Sequence, residues 1–143
     1  MEIEPQDTTL SLTKKLADLG AELLVKTINL LPSGRVSAQP QGASPTPYCF
    51  QLKKEMGLID WSKTALQIER QVRAFDPWPG TFTRWDKKNL KILKARVSNE
   101  MKLNENPGFV FLSKDHRLAV QTTQGSLAVE ELQAEGRKPM AAE

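Results

Sequence analysis

Cysteine is almost missing: Cys49 is the sole one in 143 residues. One cysteine excludes an internal disulfide and a thiolate zinc cluster, and it fits a reducing cytoplasm or organelle matrix. Set between Tyr48 and Phe50, it is expected to be a small buried apolar group rather than a nucleophile. Histidine is equally scarce. His116, the only one, lies beside Asp115 in a stretch that reads as a turn, with no cysteine or second histidine nearby; it is expected to be surface. No His/Cys/Asp/Glu cluster has metal-ligand spacing, so no metal is expected. The eight glycines are scattered, and none builds a G-x-x-x-x-G-K phosphate loop. No apolar run approaches the roughly 20 residues of a membrane span. The opening Met1-Glu2-Ile3-Glu4-Pro5 is acidic and lacks the apolar core of an export signal.

What is present has an ordinary soluble balance, with 39% hydrophobic and 26% charged residues. Charge is unevenly placed. Residues 84–102 hold Arg84, Lys87, Lys88, Lys91, Lys94, Arg96 and Lys102 against Asp86 and Glu100 alone. Such a run attracts polyanions, although it also occurs on plain solvated strand faces.

The apolar pattern predicts an α+β chain. Leu12, Leu16, Leu19, Leu23, Ile28 and Leu31 form one stripe of a helix over about 8–31, with Asp7 or Thr8 as N-cap and Pro32 as stop. Nothing before residue 8 can cover that stripe, so the helix is expected to belong to a larger body upstream. Residues 32–47 are rich in Pro, Gly, Ser and Gln and read as a linker. A second helix is predicted over 63–75, capped by Ser62, with Ile68, Val72 and Phe75 inward and Leu66 joining them. Arg70 and Arg73 share one of its faces, with Asp60 or Asp76 as candidate partners. Asp60 is otherwise a helix-entry cap. Trp78 is expected to plug the core at the domain entrance.

From Thr81 the period changes to two. Strands are predicted over 81–85, 90–97, 108–112, 117–122 and 126–132, separated by polar turns, the first of them Asp86-Lys87-Lys88-Asn89. Five strands in about 55 residues suit a small open barrel of the OB type, often a binder of nucleic acid or oligosaccharide. In the second strand Leu93, Ala95 and Val97 are expected inward, with Lys94 and Arg96 outward.

Two segments resemble one family. Leu52-Lys53-Lys54-Glu55-Met56-Gly57-Leu58-Ile59-Asp60-Trp61 is similar to the K-E-D-G-x-I-D-W segment of methionyl-tRNA formyltransferases. Arg70-Gln71-Val72-Arg73-Ala74-Phe75-Asp76-Pro77-Trp78-Pro79-Gly80 is similar to their R-x-I-R-A-F-N-P-W-P-G segment. Lys15 to Leu24 resembles the K-L-A-x-L-G-A-x-L-L helix near the end of the family's catalytic domain. Leu90 to Ala95 resembles a barrel strand, and Glu131 to Met140 an L-Q-P-E-G-K-x-x-M segment. Gln51, Met56, Asp76 and Ala134 depart from the usual residues. The Phe-x-Pro-Trp-Pro form favours the tRNA enzyme over formyltransferases acting on nucleotide sugars.

The resemblance implies a formyl transfer from 10-formyltetrahydrofolate to the amine of methionine on initiator tRNA. It implies that residues 1–31 end a Rossmann-like catalytic domain, that 32–47 link, and that 48–143 form the tRNA-binding, OB-like domain. In the family an Asn-x-His pair and an Asp do the chemistry, within and after an S-L-L-P stretch of the N-terminal domain; neither Asn-x-His nor S-L-L-P occurs here, so no catalytic residue is expected on this chain, which is expected to be inactive alone. The expected tRNA contacts are Lys87, Lys88, Lys91, Lys94 and Arg96, with Arg70 and Arg73 beside them and Arg84 and Lys102 as weaker candidates. Trp61, Pro77, Trp78, Pro79 and Gly80 are the expected hinge. The implied partners are the tRNA and an N-terminal catalytic domain, with no membrane and a monomeric, cytoplasmic or organellar state. A free-standing nucleic-acid-binding module and the end of a sugar-nucleotide formyltransferase remain the alternatives.

Overall fold

In a computed structural model of the chain, residues 1–43, 46 and 48–142 are described. Ser44, Pro45 and Pro47 of the expected linker, and Glu143, lie outside the described residues. Two helices and an antiparallel sheet make the fold α+β. Helix α1 spans Thr9–Leu30 and α2 spans Ala65–Ala74. The strands are β1 (Thr81–Trp85), β2 (Lys88–Ser98), β3 (Val110–Leu112), β4 (Leu118–Gln121), β5 (Ser126–Ala134) and β6 (Met140–Ala141). Their order is β1-β2-β5-β4-β3, with β6 added along β5.

Helix α1 starts where a side chain can close its first turn. Thr8 accepts from the Ser11 amide, and Ser11 accepts from the Thr8 amide, a reciprocal cap. Asp7 is buried beside them. It accepts from the Ser11 hydroxyl at 2.7 Å, the Glu4 amide at 2.8 Å and the Lys15 ammonium at 2.7 Å. The Lys15 ammonium, aided by the Ser11 hydroxyl, holds the Asp7 carboxyl down at about 2. A depressed carboxyl stabilises the fold above its ordinary value of 3.8, and that contribution fades as pH falls toward 2. Asp7→Asn is therefore expected to lower the helical melting temperature near neutral pH. The gap from the parent, followed by circular dichroism, should close on acidification between about pH 4 and about pH 2. None of the α1 residues is buried, and Leu16, Leu23, Leu24 and Ile28 stay exposed.

Helix α2 begins two residues later than its sequence suggests. Ser62 is not the cap; its amide and hydroxyl both go to the Asp60 carboxylate, at 3.0 and 2.6 Å. Thr64 caps instead, in a reciprocal pair with Gln67. This shift also resets the buried face. Ala65, Ile68 and Val72 point inward, Phe75 is half-buried, and Leu66, expected inside, is exposed.

Ile68 and Val72 meet Ile59, Ile92, Val120, Leu127, Val129 and Leu132 in one core. That core sits on the concave side of the sheet. The strands curl enough that β1 at one edge and β3 at the other line the same cleft, with Thr83, Trp85, Leu90, Val110, Leu118 and Met140 among its walls. The cleft is apolar and holds about 690 Å³. No pair joins β1 to β3 among the described residues, so the sheet is a half-barrel.

Strand β2 is longer than expected and includes Lys88 and Asn89. The turn before it is only Asp86 and Lys87, both with positive φ (48° and 62°). That is the twist a two-residue hairpin demands, here without glycine. A bulge follows. Register slips on either side of Lys94, leaving Leu93 without a partner. Ile92 becomes the buried residue, Leu93 is only half-buried, and Val97 is exposed, against the expected inward set. Strand β6 was not expected; Met140 and Ala141 pair with Leu132 and Glu131.

Candidate nucleic-acid interface

The segment before α2 is pinned to β1. The Ile59 amide donates to Phe82 O at 2.8 Å, and the Trp61 indole N–H donates to Thr83 Oγ1 at 3.1 Å. Gly57 allows this approach: a Cβ there would collide with the Gly80 carbonyl. Gly80 has φ 74°, and its amide returns to Phe75 O at 2.8 Å. Of the expected hinge residues, Pro77, Trp78, Pro79 and Gly80 line one groove, whereas Trp61 lines the apolar cleft. Trp61 packs on the core edge, but Trp78 does not plug it; Trp78 is 54% exposed. Cys49, expected inside, is exposed, as are Tyr48 and Phe50. All three precede the first segment that pairs with the sheet.

The expected cations fall into two groups. Lys94 lies 3.4 Å from Glu131, and Arg96 lies 3.5 Å from both Asp115 and Glu130. Arg73 forks onto Glu69 at 2.6 Å and donates to Asp7 O at 2.7 Å, tying α2 to the start of α1. Its partner is neither Asp60 nor Asp76. Lys102 faces Glu100 at 3.6 Å and sits over the Phe111 ring. By contrast, Lys87, Lys88, Lys91, Arg70 and Arg84 are exposed and form no ion pair among the described residues. Lys87 and Lys88 stand at the β1–β2 hairpin tip. Register sets Lys91 beside Gln133 and Lys94 beside Glu131, on the face away from Ile92 and Leu132.

That outer face carries a groove of about 510 Å³. Lys54, Trp78, Phe82, Asn89, Lys91 and Gln133 are among its walls. Lys54, Asn89 and Gln133 were not singled out from sequence. They lie in three separate segments, and only the antiparallel register joins them. His116 is exposed in the β3–β4 turn with φ 57°. Among the described residues no three His, Cys, Asp or Glu side chains group to hold a metal. No helix of the described residues is long and apolar enough to cross a membrane.

Residues 51–143 match the family model described as formyl transferase, C-terminal domain. The chain belongs to that family. Curated relatives extend the match upstream. A methionyl-tRNA formyltransferase of Roseiflexus castenholzii is 39% identical over 140 residues, 98% of this chain. Those of Geotalea daltonii and Pseudoalteromonas translucida are also 39% identical, over 98% and 97% of the chain. The chain spans 44% of the length of each. Among solved structures, a variant of HypX from Aquifex aeolicus superposes with TM-score 0.69 at 16% identity, over 99% of this chain and 25% of that one. HypX in complex with tetrahydrofolic acid gives 0.61 at 18% identity, over 85% and 21%. At such identity these two share a fold with the formyl transferase C-terminal chain.

Proposed function

We propose that the chain is the tRNA-gripping C-terminal portion of a methionyl-tRNA formyltransferase. The observation that carries this is the 39% identity, along nearly the whole chain, to proteins of that name. On this reading the complete enzyme moves a formyl group from 10-formyltetrahydrofolate to the amine of methionyl initiator tRNA, in the bacterial cytoplasm or an organelle matrix. The donor and the reacting groups belong to the portion of the relatives that this chain does not span. His116, the lone histidine, lies in an exposed turn, and among the described residues no three His, Cys, Asp or Glu side chains group; on this reading the chain by itself is inactive.

Residues 1–31 are then the helical end of the catalytic domain, 32–47 the linker, and 48–143 an OB-like tRNA-binding domain, monomeric with its catalytic partner. The exposed stripe of α1 supports this against a free-standing module, whose helix would need an internal partner. Lys87, Lys88, Lys91, Lys94 and Arg96 meet phosphates, joined by Arg70 and Arg73. Phosphate contacts give affinity and position without reading sequence. Trp61, Pro77, Trp78, Pro79 and Gly80 fix the hinge between the linker and the half-barrel, so that the held tRNA presents its acceptor end to the catalytic domain. Such positioning makes a bound reactant effectively intramolecular.

Titration of initiator tRNA at rising salt tests the reading. Five phosphate contacts give a slope of log affinity on log salt of roughly −3.5 to −4.5. A flat salt response, or formyl transfer by the isolated chain, would refute it.

A further inference from the structure

The groove on the outer face of β1, β2 and β5 differs from the bare cationic tip beside it. Trp78 offers it a broad, half-exposed indole, with Pro77, Pro79 and Phe82 as the other apolar walls. Lys54 and Lys91 reach it from two different elements, and neither forms an ion pair among the described residues. The Gln133 amide N–H donates to Arg137 O at 2.8 Å. The Asn89 side-chain amide has no hydrogen bond among the described residues, while its backbone amide is held by Glu135 at 3.4 Å. The volume of about 510 Å³ lies within the roughly 300–1,000 Å³ of small-ligand sites.

We propose that this groove receives one unpaired nucleotide of the bound RNA, with its base stacked on Trp78 and its phosphates met by Lys54 and Lys91. The inference rests on the tRNA-binding reading above and names what a second, non-duplex contact would be. Exposed aromatics between cations form the stacking platform that single-stranded nucleic acid uses. Bases inside a duplex are already stacked and cannot enter. The free Asn89 amide, a donor and an acceptor together, suits a base edge. An acidic peptide would use the lysines but not the indole plane.

The test uses the full chain and a labelled oligouridylate of about eight nucleotides, a length within the usual single-strand site size. Parent tryptophan emission should be quenched on binding. Trp78→Ala should weaken binding about tenfold. Trp78→Phe keeps a ring and should bind within about threefold of the parent, without that quenching. Lys54→Gln should flatten the salt slope by about 0.7. Because Trp78 is exposed, the melting temperature should not move in either Trp78 variant. The groove assignment is overturned if Trp78→Ala binds like the parent, or if duplex RNA or polyglutamate quenches the emission equally. Retained tRNA affinity in the first case leaves the tRNA-binding reading standing. No binding of tRNA by the parent ends both.

Discussion

Replacing Lys87, Lys88 and Lys91 together by glutamate should lower affinity for initiator tRNA about 100-fold. Hydrogen bonds to charged groups contribute roughly 1.5–3 kcal/mol each, and solvent screening brings an exposed one nearer 1 kcal/mol. Three such losses amount to about 3 kcal/mol, close to two decades of affinity. The salt slope should flatten by about 2 to 3, since each lost contact removes roughly 0.7–0.9. Nothing in the fold opposes the change, because these side chains are exposed and pair with no carboxylate among the described residues. The paired cations are the control. Lys94 and Arg96 must leave Glu131, Asp115 and Glu130 before they can reach phosphate. Lys94→Gln with Arg96→Gln should therefore cost less than tenfold. Filter binding at two salt concentrations separates the outcomes, and equal losses in the two variants would mean that the ion pairs do not sort the contacts.

Much of this arrangement is readable along the chain, because its causes are local. The period-two alternation of Thr81–Trp85 comes from side chains on one strand, and the strand is found where expected. The apolar stripe and stop of α1 are equally local, and Thr8 caps it as its hydroxyl suggests. The family motifs around Trp61 and Trp78 likewise lie within single segments. What escaped depends on distant partners. Ser62 looks like a cap until Asp60 takes both of its donors. Ala65 looks too small to matter, yet it is fully buried where its amide meets Gln124 O at 3.1 Å. Leu93 carries an inward pattern that the bulge cancels, because register against β5 decides which residue faces the core. Strand β6 is two residues long and exists only as a pairing to Glu131 and Leu132. The groove is the same case: Lys54 and Gln133 are 79 positions apart and meet through the sheet.

The largest stability effect should come from Ile68. This side chain is fully buried and touches the core formed by Val72, Ile92, Leu127 and Val129. Helix α2 has ten residues, too few to hold a helix in water by propensity alone. It persists because Ile68 and Val72 anchor it on the concave face of the sheet. Ile68→Ala should cost about 3–4 kcal/mol, the transfer of the lost methylenes plus the cavity they leave. Ile68→Val, which removes one methyl, should cost about 1 kcal/mol. Urea titration of the sheet signal should show a lower midpoint at unchanged slope in both variants. The folded fraction of Ile68→Ala should still bind tRNA with nearly the parent's salt slope, because Lys87, Lys88 and Lys91, the contacts proposed on the hairpin and β2, are exposed and are not members of this core. A changed slope would mean that the cationic tip is held in place by α2 itself, and the scaffold and the grip would then be one element rather than two.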